Sequence, residues 1–298
     1  MNDFVIYTAI VGNYDEILQP LVVDNRFDYI LFSDHIDNER IGVWQVRPIP
    51  YHNGIQTKIA RWVKTHPGEL LADYSCSLWM DANIRIVSSS IYERCVELFH
   101  SSIPIASVLH PDRKCIYDEA VCCMSIQIEN ELVALPWLHK IQTEGYPHDN
   151  GLTETNILFR LHQKTIHFDQ LWWQCIEKYS RRDQLSFDYV LWKTGISRTP
   201  FFNEGISAHN SSWLEINTKH KNSSQKRLSF TPQNYPFLYH YKKIFPYKDY
   251  WNFNYNHLYA KLYKKSNPLM WARISGLFYW AWQKIWRSTK GKCWQSAL

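Results

Sequence analysis

A chain of 298 residues that is 45% hydrophobic and 20% charged can bury a sizeable core, which excludes an intrinsically disordered protein. Its net charge of +5 is unevenly spread: residues 240–298 hold 11 Lys and Arg against one acid, Asp249, leaving 22 basic and 27 acidic residues before them. So acidic a body argues against a nucleic-acid binder, whose phosphate affinity needs a continuous positive surface. The seven cysteines are odd in number and lack zinc-ligand spacing, so reduced thiols are expected. Neither a basic leader nor a run of membrane-spanning length is visible, and the expected compartment is the cytoplasm.

Residues 4–11 are an apolar run rich in aromatic and β-branched side chains, the mark of a buried first strand. Gly12-Asn13-Tyr14-Asp15 breaks it. A glycine there lets the backbone approach a ligand and Tyr14 offers a ring for stacking, while a plain βα turn accounts for the same residues. A second strand at 28–32 leads into Ser33-Asp34, where an acid can accept from ribose hydroxyls. A third strand covers 44–49. The spacing predicts a helix over 56–66, with Lys58, Arg61 and Trp62 sharing a face that suits a diphosphate. Lys64 falls off that face and reads as solvated surface charge.

Apolar residues then run up to Met80, and Asp81-Ala82-Asn83 follows before Ile84. A strand ending on Asp-x-Asn sets two oxygen-bearing side chains at the carboxyl edge of a sheet, where open α/β sheets bind ligands. Such donors suit Mg or Mn held jointly with substrate phosphates. An Asx-type turn is the plainer alternative. Helices are expected at 88–99, from 115 and over 131–144, with a strand at 105–109. Residues 151–156 read as a polar loop entering a strand at 157–160, followed by helices at 168–179 and 180–193. Asp183-Gln184 stands at a helix start, as a cap or as a site pair. His209 is a lone histidine in a short segment. Strands alternating with helices indicate an α/β architecture.

The end of the chain differs in kind. Trp271, Phe278, Trp282 and Ile285 recur along a helix expected at 268–284, and Lys284, Arg287, Lys290 and Lys292 crowd its end. This pattern suits a bilayer interface, or docking on the chain's own domain.

Seven ordered segments together resemble one family. They are Tyr7-Thr8-Ala9-Ile10-Val11-Gly12-Asn13-Tyr14-Asp15, Phe32-Ser33-Asp34, Lys58-x-x-Arg61-Trp62-x-Lys64, Trp79-Met80-Asp81-Ala82-Asn83, Cys115-Ile116-Tyr117-Asp118-Glu119-Ala120, Gly151-Leu152-x-Glu154-Thr155-Asn156 and Arg182-Asp183-Gln184-Leu185-Ser186-Phe187. The resemblance, over residues 4–215, is to the glycosyltransferase-like domain family shared by bacterial polysaccharide-locus proteins and plant Golgi proteins of seed mucilage. It implies a GT-A fold: a nucleotide-binding α/β sandwich with a mostly parallel central sheet, taken here as domain 1–239, followed by an aromatic, basic helical extension at 240–298.

The resemblance also implies a divalent metal, Mn or Mg, held against a nucleotide-sugar diphosphate. Asp81 and Asn83 match the metal motif, although Asn83 stands where a carboxylate is usual, and His209 takes the late position of a third ligand. Thr8, Val11, Tyr14 and Asp34 would hold base and ribose, and Lys58, Arg61 and Asp81 would face the diphosphate. Glu154, Asp183 and Gln184 would face the acceptor, with Asp183 the base of an inverting reaction. The implied activity is transfer from a nucleotide-diphosphate sugar, a UDP-sugar foremost, to a glycan or lipid-linked acceptor in surface polysaccharide biosynthesis. The tail would contact the membrane peripherally at its cytoplasmic face, and nucleic acid is no partner. The alternative is an inactive GT-A-like protein that binds nucleotide or glycan.

Overall fold

The computed structural model describes residues 2–125, 128–129 and 131–218. The extension at 240–298, its expected helix and the boundary at 239 lie outside the described residues. Among the described residues the chain forms two units, 2–116 with 136–218, and the part of the second that covers 117–135.

In chain order the elements are β1 (Phe4–Ile10), β2 (Phe27–Ser33), β3 (Arg40–Ile41), β4 (Trp44–Pro48), α1 (Gln56–Thr65), α2 (Pro67–Leu70), β5 (Cys76–Met80), β6 (Ile84–Ile86), α3 (Ser90–His100) and β7 (Ile105–Leu109). There follow α4 (Ile116–Ser125), α5 (Glu131–Thr143), β8 (Thr153–Leu161), α6 (His162–Lys178), α7 (Gln184–Thr194), β9 (Thr199–Pro200) and β10 (Leu214–Ile216). The described strands build an eight-stranded sheet in the order β3-β4-β2-β1-β5-β8-β7-β9, with β10 and β6 paired apart from it. From β4 through β2 and β1 to β5 the strands run parallel, whereas β8 is antiparallel to both β5 and β7. The expected α/β fold with a mostly parallel core sheet is therefore present.

Parallel strands are covered on both faces, so they read as continuous apolar runs, as β1 does. Alternation along β1 sends Ile6 and Ile10 into a core with Leu31, Leu78, Met80 and the α3 residues Ile91 and Leu98. Tyr7 points to the other face, where its hydroxyl donates to the Lys64 carbonyl of α1 at 2.9 Å and its ring meets Trp79 edge-on. Each such fully buried large side chain contributes roughly 1.5–3 kcal/mol.

Two expectations need correction. Residues 151–156 are not all loop, because β8 begins at Thr153. Its threonines are buried polar residues with partners on α7: Thr153 Oγ1 donates to Asp188 at 2.8 Å and Thr155 Oγ1 to Asp183 at 2.8 Å. Polarity here marks a buried network, not a loop. The β7–β8 pairing also shifts register, from Ser107 opposite Leu158 to Val108 opposite Glu154, so residues 155–157 bulge. Lys64 is likewise not solvated, being 0% exposed. The six described cysteines are free thiols, as expected, and among the described residues no helix is long and apolar enough to cross a membrane.

Candidate active site

Strand β5 stops at Met80, and Asp81 opens a turn in which Ile84 N–H donates to the Asp81 carbonyl at 2.9 Å. Asp81 and Asn83 are thus oriented by a turn, and not by strand alternation. Asp81 N–H donates to Asn156 O at 2.9 Å, tying the end of β5 to β8. The Asp81 carboxylate is one-third exposed and accepts from Trp79 Nε1 at 2.8 Å. Asn83, just before β6, is tied to the residue after β10: its Nδ2 donates to Asn217 O at 3.2 Å, and Asn217 N–H donates to Asn83 O at 2.8 Å.

Behind Asp81 lies a buried charge cluster. Arg61 and Lys64 are three residues apart on α1 and share a face. Lys64 Nζ lies 2.6 Å from Asp183 Oδ2 and 3.7 Å from Asp81 Oδ1, with the Trp79 and Trp172 rings 5.3 and 5.9 Å away. Arg61 Nε is 2.9 Å from Asp183 Oδ1, in ion-pair range without hydrogen-bond alignment. Two further donors, Tyr7 Oη and the buried Arg160, hold the Lys64 carbonyl and fix where its helix turns. Burial alone would raise the Asp183 pKa, but the charges of Arg61 and Lys64 outweigh it and hold the carboxyl far below the usual carboxylate range. Burial lowers the Lys64 pKa against the pull of Asp183 and Asp81.

The remaining expected residues scatter along the same edge. Lys58 does not join Arg61: its Nζ donates to the Glu177 carbonyl at the end of α6, 2.7 Å away, a favourable place for a cation. Asp34 Oδ1 accepts from Gly12 N–H at 2.9 Å and meets His35 Nδ1 at 2.9 Å. Burial acts to raise its pKa, and these two contacts bring it below the ordinary value. Gly12 has φ +64°, a left-handed conformation natural to glycine. Val11 is buried and Tyr14 is 37% exposed. Thr8 is buried and lines a shallow, open cleft together with Leu18, Trp44, Met80, Asp81 and Arg85. Its hydroxyl has no hydrogen-bond partner among the described residues.

Opposite the Thr155 face of β8, Glu154 Oε1 lies 3.8 Å from His209 Nε2, and Asn156 Nδ2 donates to Glu154 Oε2 at 3.4 Å. His209 is thus placed beside Glu154, its side chain 61% exposed. Gln184 opens α7, half-buried.

The TOD1/MUCI70 glycosyltransferase-like domain matches residues 1–206. The chain belongs to that family. Every element of the charge cluster, from β1 to α7, lies within the matched TOD1/MUCI70 span. Among solved structures, the WbbM bifunctional glycosyltransferase in its apo form is similar at 11% identity and a TM-score of 0.39, over 67% of this chain and 38% of that one. The chain therefore spans well under half of that protein, a likeness too distant to carry function. No curated protein matches the sequence.

A TOD1/MUCI70 site of this composition fits a hard cation shared with substrate. Asp81 and Asn83 supply oxygen donors with a single negative charge, and Mg or Mn takes few protein ligands beside phosphates and water. Asp81 and Asp183 are balanced by Lys64 and Arg61. Lys64 is the residue that sequence reasoning missed. Its partner lies 119 positions away, and no local signal announces it.

Proposed function

We propose that this chain is a glycosyltransferase that moves a sugar from a nucleotide-diphosphate donor, a UDP-sugar foremost, onto a glycan or lipid-linked acceptor. The observation that carries the reading is the buried Lys64–Asp183 pair set against the partly exposed Asp81 carboxylate at the sheet edge. Asp183 holds the Lys64 ammonium and the Arg61 guanidinium in place behind Asp81, and this balanced cluster would fix where the Asp81 carboxylate stands. Asp81 and Asn83 would hold Mg or Mn, which supplies Lewis-acid stabilisation of the leaving diphosphate when bound. The loop after β1, braced by the Asp34–Gly12 hydrogen bond, and the adjoining cleft would receive base and ribose.

Asp183 is a poor general base, since a carboxylate held this firmly by two cations has little affinity for a proton. Glu154, on the His209 side of β8, takes that role if the reaction inverts the sugar. Gln184 and Asn156 would orient the acceptor. Membrane contact at the cytoplasmic face, through residues 240–298, completes the proposal. Liposome co-sedimentation of the full chain against one ending at Tyr239 tests it, and equal pelleting removes it.

A panel of nucleotide sugars assayed with wild type, Asp81→Ala and Glu154→Gln tests the chemistry. Turnover with one donor should fall at least 100-fold in Asp81→Ala, while Glu154→Gln loses kcat and keeps donor affinity. Equal turnover of Asp81→Ala and wild type overturns the assignment. A second reading, an inactive nucleotide- or glycan-binding protein, is favoured by the neutral Asn83 tied to Asn217. Nucleotide binding without turnover for any donor decides for it.

A further inference from the structure

Cys115, His148 and Asp149, none of them part of the charge cluster around Asp81, each offer a ligand atom within 4.8 Å of the others. Cys115 is buried at the end of the segment after β7, and Asp149 is exposed on the loop before β8. Cys115 Sγ and His148 Nδ1 are 3.5 Å apart although 33 positions separate them in sequence. A tetrahedral zinc with ordinary Zn–S and Zn–N bonds holds its sulfur and nitrogen ligands about 3.6 Å apart. The sulfur and nitrogen therefore already stand at the separation that such an ion requires.

We propose that Cys115, His148 and Asp149 form a site for a thiophilic divalent cation of the zinc class. Thiolate and imidazole donors select such an ion over the hard Mg or Mn suited to Asp81 and Asn83. The exposed Asp149 gives the ion a path from solvent, and the fourth position is left to water. Binding releases the Cys115 thiol proton to solvent. The chain leaves the sheet through Cys115 and returns through His148, so the ion would clip together both ends of the excursion between β7 and β8. The returning loop runs directly into Thr153 and Glu154, and the clip would steady the approach to that edge. This site stands independently of the transferase reading.

Cobalt(II) titration of the reduced full-length protein tests the proposal, because a thiolate ligand gives an intense near-ultraviolet charge-transfer band. One equivalent should produce the band, Cys115→Ser should abolish it, and Asp81→Ala should retain it. His148→Ala should weaken cobalt binding at least tenfold, which keeps the test decisive if the cysteine variant fails to fold. Absence of the band in wild type overturns the site. So does a band that survives unchanged in Cys115→Ser, or unaltered affinity in His148→Ala.

Discussion

Replacing Lys64 with Met removes a buried ammonium while nearly keeping the volume between Trp79 and Trp172. At an effective dielectric of about 20, charges at the Lys64–Asp183 separation of 2.6 Å attract by about 6 kcal/mol. Most of that attraction is offset by the desolvation of both ions, so the intact pair adds little net stability. Losing one partner is different, because Asp183 stays buried with Arg61 and Thr155 as its remaining partners. Breaking such a pair costs about 3–5 kcal/mol, and the lower end is expected because Arg61 still faces the carboxylate. Urea unfolding followed by tryptophan fluorescence measures the loss in Lys64→Met, Asp183→Asn and the double variant. The double should fall short of the summed losses by about 2 kcal/mol, as contacting partners do. Additive losses, or a Lys64→Met protein within about 1 kcal/mol of wild type, would refute the reasoning.

Thr8→Val removes a buried hydroxyl that has no partner among the described residues, and should raise stability by about 1 kcal/mol in thermal melts. A simultaneous loss of nucleotide affinity would mark that hydroxyl as a ligand contact in the cleft. His162 is buried, and desolvation, helped by the Arg160 charge, pushes its pKa down to about 4 from 6.5. The unfolded chain therefore takes up a proton below pH 6.5 that the folded chain refuses, and stability falls with pH across that window. Wild type should lose about 2 kcal/mol more than His162→Phe between about pH 7 and 5, read from urea midpoints. An equal loss in the two proteins would clear His162 of the effect.

The sheet was legible because its strands are apolar runs of the right length, and β7 (Ile105–Leu109) falls where the sequence puts it. Arg61 and Asp81 were legible because a helix face and a strand end can be read locally. The rest of the site depends on distance in sequence. Lys64 looks like surface charge until Asp183 closes over it, and Lys58 looks like Arg61's companion until α6 offers a carbonyl instead. The polar start of β8 was hidden for the same reason, since Thr153 and Thr155 find buried acids on α7 that no local pattern announces. His209 was placed by order along the chain, whereas its neighbour Glu154 is set by the turn of a strand.

The bulge at residues 155–157 makes this edge intolerant of insertions and deletions. Side chains on β8 alternate between the acids of α7 and the side holding His209, so the frame of the strand decides which groups meet which. Loss of a single residue there would turn Glu154 inward against Asp183 and swing a threonine out to solvent, with every amino acid otherwise conserved. Divergence in sugar or acceptor choice should accordingly proceed by exchanging side chains on β8 and reshaping the loops around it, with the strand's length held constant.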